Sequence, residues 1–296
     1  MVKFEDDKAF RGSPVAVFDA VALTWHTEVS FKGYVYPDTF PLLLVAALGP
    51  DVVTGDAAPY AHVIGLLNAA ATGSQPSSVT IQFTDGANQF QVAGAQLADL
   101  EITGGADKAM EWTAKFIGQP WTIVSGKDFS FSDEGLVPGW SVATSIDSDA
   151  LAYISAFTLK IDRGTEAIFC QGEQGPFACF AGPCDVTGTL DALVNSAADP
   201  FSIGTDDNAW ALYREHLPMT ITCTSTTNEQ TGDVFDDVVF QMSQCQFMNV
   251  KRKVDKIYTD LSVEFKAEGN TTDAVDAGYA NIQASASNGV ATYAAS

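Results

Sequence analysis

The sequence predicts a mainly β chain made of two tandem antiparallel β-sandwich domains, each with a short α-helix. Three observations predict it. The chain repeats itself: VTIQF (Val79 to Phe83) matches MTITC (Met219 to Cys223), GAQLADL (Gly94 to Leu100) matches QCQFMNV (Gln244 to Val250), and EWTAKF (Glu111 to Phe116) matches DLSVEF (Asp260 to Phe265). A repeat this large is a duplicated domain rather than a solenoid of short units. The repeated strands also alternate. Trp112, Ala114 and Phe116 share one face and Glu111, Thr113 and Lys115 the other, as do Leu261, Val263 and Phe265 against Asp260, Ser262 and Glu264. One buried and one wetted face is the antiparallel sandwich pattern. Finally, the long strand switches parity in both copies, from Ala95 and Leu97 to Leu100 and Ile102, and from Cys245 and Phe247 to Val250. A β-bulge at the same place in each copy explains this, and bulges bend strands so that sheets curve.

In chain order, residues 1–18 read as a polar, charged arm. Residues 19–120 form the first domain, 121–149 a linker rich in Gly, Ser and Pro, and 150–296 the second domain. Val21, Leu23 and Trp25, then Val29 and Phe31, read as one strand with a bend. PDTFPLLLVAALG follows as a short apolar helix, with Asp38 and Thr39 as N-cap candidates, Pro41 in the first turn and Gly49 as the stop. It is placed to plug an open sheet face. His62 to Ala71 is assigned a second short helix. In the second copy, Phe157, Leu159 and Ile161 alternate into a DRG turn, and CDVTGTLDAL corresponds to VSFKGYVYPD with Gly188 opposite Gly33. Asp206 to Asn208 cap a helix bearing Trp210, Leu212 and Tyr213 that Pro218 closes, with His216 at its C-terminal end. YANIQASASNGVATYAAS ends the chain as a low-charge strand or tail.

Composition narrows the function. With 296 residues and 46% hydrophobic content, the chain can fill sizeable cores. No run reaches the roughly 18 apolar residues of a membrane span. The start, MVKFEDDKAFRG, has no secretory leader pattern. Fifteen Lys+Arg against 37 Asp+Glu give a net charge of -22. That argues against tight binding to nucleic-acid phosphates, which requires clustered cations, but fits an acidic wall that lets DNA pass without sticking. Five cysteines (Cys170, Cys179, Cys184, Cys223 and Cys245) include no CxxC pair and stand with only three histidines, so no zinc site or other metal or cofactor site is expected. Cys223 and Cys245 fall at core positions of strands.

The chain is not read as an enzyme. His26, His62 and His216 lie in no nucleophile-elbow or HExxH pattern, and the Asp236–Asp237 and Asp206–Asp207 pairs read as solvated loop acids rather than a catalytic pair. One charge feature stands out: Lys251, Arg252, Lys253 and Lys256 gather four of the fifteen basic residues. They read equally as edge-strand protection and as an inter-subunit contact with an acidic patch on a neighbouring copy.

The order of these motifs resembles a known family. A strand with central Gly33 precedes Ala47-Leu48-Gly49, then Pro76-Ser77-Ser78-Val79-Thr80-Ile81, then Gln91-Val92-Ala93-Gly94-Ala95 to Ile102, then Trp112 to Gly118. Over roughly residues 20–285 this resembles the major tail tube proteins of long non-contractile-tailed bacteriophages in their two-repeat form. The second copy departs in lacking Pro-Ser-Ser and in a Cys-rich insertion from Phe169 to Cys184.

The resemblance implies a structural virion protein that self-assembles into stacked rings, with sheets of neighbouring domains joined into a large barrel. The tube would be a negatively charged conduit for DNA delivery, with the genome passing through without specific binding and no membrane involved. It implies a ring of three chains with pseudo-sixfold symmetry, with a hexamer as the alternative. It also implies contacts with a tape measure protein, tail terminator and distal tail proteins, and a place in the virion tail after assembly in the bacterial cytoplasm. Glu111, Asp260 and Glu264 are lumen candidates. The arm, the loop from Pro50 to Gln75 and the linker are inter-ring candidates. A tandem β-sandwich adhesin and a capsid decoration protein are the alternative readings.

Overall fold

The computed structural model describes residues 2–7, 19–66, 75–126, 132, 134–151, 153–194, 216–225, 236–254, 259–269 and 280–293. An arm strand, β1 (Val2–Asp7), pairs antiparallel with β2 (Asp19–Trp25) as a two-stranded ribbon. After His26 the chain runs on as β3 (Thr27–Tyr34), so the expected bend falls at His26. A seven-residue helix, α1 (Pro41–Ala47), follows. The rest of the first repeat is β4 (Asp51–Thr54), β5 (Tyr60–Gly65), β6 (Val79–Thr84), the long β7 (Gln89–Gly105), β8 (Glu111–Gly118) and β9 (Thr122–Val124). Then come β10 (Val142–Ile146), β11 (Asp149–Ala150), β12 (Ile154–Asp162), β13 (Glu166–Ile168), β14 (Ala178–Phe180) and β15 (Asp185–Val194). The chain continues through β16 (His216–Thr224), the long β17 (Asp237–Val254), β18 (Thr259–Ala267) and β19 (Gln283–Asn288).

The architecture is antiparallel β throughout its sheets, as expected. Each long strand serves two layers. The first half of β7 pairs β6 and β9 and its second half pairs β8 and β12; the first half of β17 pairs β16 and β19 and its second half pairs β18. The change of layer coincides with a bulge in each copy, between Leu97 and Asp99 in β7 and between Met248 and Lys251 in β17. Asn249 sits there at φ 50°, a left-handed conformation asparagine tolerates well. The parity switch in the sequence is therefore a bulge in both repeats, one residue pair further along in the second than in the first.

The second halves of the long strands join one wall, ordered β17–β18–β15–β12–β7–β8–β3. The two repeats meet in it at β12–β7, with seven register pairs from Ala156–Gly105 to Asp162–Asp99. A second layer, β11–β10–β16–β17–β19–β5–β4, also crosses between repeats, because β19 pairs β17 on one side and β5 on the other. A single buried cluster lies between, from Leu44 of α1 through Leu100, Leu159 and Leu190 to Phe240, Phe265 and Ala284. The expected linker carries β9, which pairs β7, and β10, which pairs β16.

α1 stands where expected and is buried at Pro41, Leu44, Val45, Ala46 and Ala47. Pro41 opens it, where a missing N–H costs nothing. Its N-cap is Phe40, without a side-chain cap, rather than Asp38 or Thr39. Phe40 is recruited for packing: its ring meets Phe240 edge-on at 6.4 Å.

Several local readings differ from the structure. His62 to Gly65 is strand, not helix, because His62 and Ile64 alternate inward with Val63 outward. The stretch from Pro50 likewise holds the β4–β5 hairpin. The helix assigned to Asp206–Tyr213 lies outside the described residues, but His216 and Pro218 belong to β16, with Pro218 in a register shift where its absent N–H breaks no ladder. Gly33 and Gly188 are not equivalent: Gly33 faces Trp112 and Gly188 faces Phe265, four positions apart along the matched strands. The Cys-rich stretch holds β14, which pairs β13 just before it as a ribbon that leads into β15 as β1–β2 leads into β3.

Candidate functional site

The wall has a polar face that registers residue by residue across all seven strands. Glu28, Ser30 and Lys32 of β3 lie beside Thr113, Lys115 and Glu111 of β8, then Asp99 and Glu101 of β7, and Lys160 and Asp162 of β12. Asp185 and Asp191 of β15, Asp260, Glu264 and Lys266 of β18, and Lys251 and Lys253 of β17 continue it. All three lumen candidates, Glu111, Asp260 and Glu264, therefore fall on one face of one sheet. The face carries nine carboxylates against six lysines.

The lysines are tied down. Lys32 pairs Glu111 at 2.7 Å, Lys115 pairs Glu28 at 2.9 Å, Lys160 pairs Asp99 at 3.0 Å across the repeat seam, Lys266 pairs Asp185 at 2.7 Å and Lys251 pairs Glu264 at 2.6 Å. Hydrogen bonds from Lys251 and Asn249 hold the Glu264 carboxyl below its usual range, and Lys115 with His26 does the same for Glu28. Exposed pairs of this kind add little stability, because solvent screens them. Their electrostatic consequence is larger. Five of the six lysines already face a carboxylate, so a passing polyanion meets few uncommitted cations and an excess of acid.

The outward face of the second layer is different. Thr220, Thr222 and Thr224 of β16, Val239 and Gln241 of β17, and Gln283, Ser285 and Ser287 of β19 line it, with Asp237 as its one charge among the paired positions. Asp236 is buried and Asp237 half-buried, so this acid pair opens a strand rather than forming a solvated loop. Burial raises the Asp237 carboxyl above its usual range, against a backbone hydrogen bond from Ser287. Folding therefore favours the neutral acid. The ionised form costs stability above the ordinary carboxylate range, and that cost fades as pH falls through it. Asp237→Asn is expected to raise the melting temperature at pH 7, with the gap to the parent closing near pH 4. Identical melting curves at pH 7 would show that burial does not burden this group.

Each histidine has a carboxylate partner. His26 meets Glu28 at 3.0 Å, His62 meets Asp51 at 2.8 Å and His216 meets Glu268 at 2.7 Å. Only the His62 pair is fully buried, and it also holds Val290 and Tyr293 of the C-terminal segment. This network, which ties the C-terminal segment to β4 and β5, is invisible in the sequence. All five cysteines are free; Cys223, Cys245 and Cys179 are buried and Cys170 is exposed. Among the described residues, no three His, Cys, Asp or Glu side chains cluster as a metal site, and no helix is long and apolar enough to cross a membrane.

The wall ends in two open edges. Among the described residues, β3 pairs only β8, and Phe247–Val254 of β17 pair only β18. Lys251, Arg252 and Lys253 lie on the second of these edges, all exposed, with Lys251 and Lys253 on the polar face and Arg252 opposite Leu261. Lys256 lies outside the described residues. Apolar side chains stand exposed on the ribbons that lead into the wall: Val21 and Leu23 on β2, and Ile168, Phe177 and Phe180 around β13–β14.

No curated protein matches the chain in sequence. A family comparison does: residues 18–285, spanning both repeats, both layers and both open edges, match the family described as phage tail tube protein. The chain thus belongs to the phage tail tube protein family, whose members are structural proteins of the virion tail.

Proposed function

We propose that the chain builds the tube as stacked rings of three copies with pseudo-sixfold symmetry, the charged face of the seven-stranded wall lining the lumen. The observation that carries this reading is the unbroken antiparallel wall with its net-acidic, salt-bridged face. A conduit for DNA needs a continuous polar surface that attracts phosphate nowhere. Both repeats contribute wall strands, and they already join edge to edge at β12–β7. The same join made between chains closes a barrel and removes the open edges that invite aggregation. A ring of six chains would need only one repeat of each in the wall.

The division into repeats at 19–120 and 150–296, joined by 121–149, belongs to this reading, as does assembly in the bacterial cytoplasm. Glu111, Asp260 and Glu264 face the passing DNA. The exposed apolar side chains of β2 and of the β13–β14 ribbon are suited to ring-to-ring contact. A tape measure protein, a tail terminator and distal tail proteins are the partners this reading expects. The reading is tested by electron microscopy of concentrated purified protein, with mass measurement of isolated rings. Hollow tubes or rings of three chains are expected. Persistent monomers contradict tube formation, and rings of six chains contradict the threefold arrangement.

A further inference from the structure

We infer that the second half of β17 is the edge that receives another copy of this chain, and that the segment it receives is Val2–Asp7 of that copy. The inference rests on the ring reading above and specifies how one ring closes.

The in-chain seam supplies the template. The matched strands of the two repeats share a register: Phe116 faces Leu97 as Phe265 faces Phe247, and past each bulge Glu101 faces Thr113 as Lys251 faces Ser262. Glu101 and Lys251 are therefore equivalent positions on the two long strands. On β7 that stretch is acidic and its partner β12 brings a lysine: Lys160 stands opposite Glu101 and pairs Asp99 at 3.0 Å. On β17 the same stretch reads Lys251, Arg252, Lys253, and its outer edge is open among the described residues. The sign is reversed, so the strand that completes this seam has to be acidic.

β1 meets that requirement. Its sequence ends Glu5-Asp6-Asp7, with Glu5 and Asp6 exposed, and among the described residues it pairs only β2. It also has the right direction. β12 sits antiparallel between β15 and β7. β1 runs antiparallel to β2, which continues through His26 into β3, the other open edge of the wall. Sliding along from β2 to β3 places β1 between its own β3 and the next copy's β17, as β12 lies between β15 and β7. The wall then gains an eighth strand, four for each repeat, from the seven present in one chain. A ribbon of two strands is weakly held, so leaving it costs little.

The test uses charge reversal in the full chain, with assembly followed by sedimentation and electron microscopy and folding checked by melting of the unassembled chain. Lys251→Glu with Lys253→Glu is expected to raise the concentration needed for assembly by about tenfold or more. Glu5→Lys, Asp6→Lys and Asp7→Lys together should do the same. All five changes in one chain restore complementarity and should return assembly toward the parent. Either partial variant assembling like the parent, or the combined variant assembling no better than both, overturns the pairing and leaves the ring reading standing. A parent chain that forms no rings overturns the ring reading itself.

Discussion

Asp51→Ala is expected to lower the stability of the folded chain by about 3–5 kcal/mol, the cost of leaving one member of a buried His–Asp pair alone. His62 and Asp51 have side chains 0% and 1% exposed and meet at 2.8 Å. The other ring nitrogen, Nε2, donates to the Val290 carbonyl at 2.9 Å, while the Asp51 carboxylate also accepts the Tyr293 backbone N–H at 3.1 Å. The alanine variant strands one ring nitrogen and the Tyr293 amide in an apolar setting.

The damage reaches further than the pair. The Tyr293 ring lies tilted against the His62 ring at 4.8 Å, and Tyr293 donates its hydroxyl to the Asp38 carbonyl and accepts from Asn288, which also donates to the Pro37 carbonyl. These contacts fasten the segment after β19 against β4, β5 and the turn before α1. Asp51→Asn keeps shape and one hydrogen bond to the ring, so its loss should be smaller. Chemical denaturation of both variants checks this. Equal, small losses would mean the network is not what binds the C-terminal strand to the first repeat.

Gly188→Ala is expected to cost about 3 kcal/mol, at the upper end of overpacking penalties, and to abolish ring formation. A Cβ at Gly188 would lie 2.2 Å from the Thr158 carbonyl oxygen on β12 and 2.4 Å from the Phe265 ring on β18. One obstacle is backbone and the other is a fully buried aromatic, so neither neighbour can yield cheaply. The same device recurs in the wall. Gly33 lies under Trp112, and Gly104 lies under Phe157 at the repeat seam. In each pair an aromatic ring covers a glycine on the neighbouring strand, fixing the register. Thr189→Ala, the next residue but on the polar face, should change stability by no more than about 0.5 kcal/mol. Comparable melting of the two variants would contradict the role given to Gly188.

What the sequence made legible was local periodicity. Alternation in EWTAKF and DLSVEF marks the buried faces correctly, and the parity switch after Leu97 and Phe247 marks the bulges. α1 was legible because Pro41 and Gly49 punctuate a short apolar run. Pairing was not legible, because period two gives faces and no partners. β19 alternates Ala284 and Ala286 with Gln283, Ser285 and Ser287, too weak a pattern to reveal that it bridges β17 and β5. Gly33 and Gly188 looked equivalent by neighbouring letters, whereas register sets them four positions apart. His62 looked ordinary because its partners, Asp51 and Val290, lie 11 and 228 residues away. The lumen candidates Glu111, Asp260 and Glu264 lie on two separate strands. That β8 and β18 present them on one surface depends on the β12–β7 seam, which joins segments with no shared pattern.

The most direct measurement is a cryo-electron microscopy reconstruction of the assembled tube at side-chain resolution. The account predicts three chains per ring, with Glu111, Asp260, Glu264 and their neighbouring lysines lining the lumen and the Thr-, Ser- and Gln-rich face turned away from it. A lumen lined by Thr220, Thr222, Gln241 and Ser285, with the charged face outside, would contradict it.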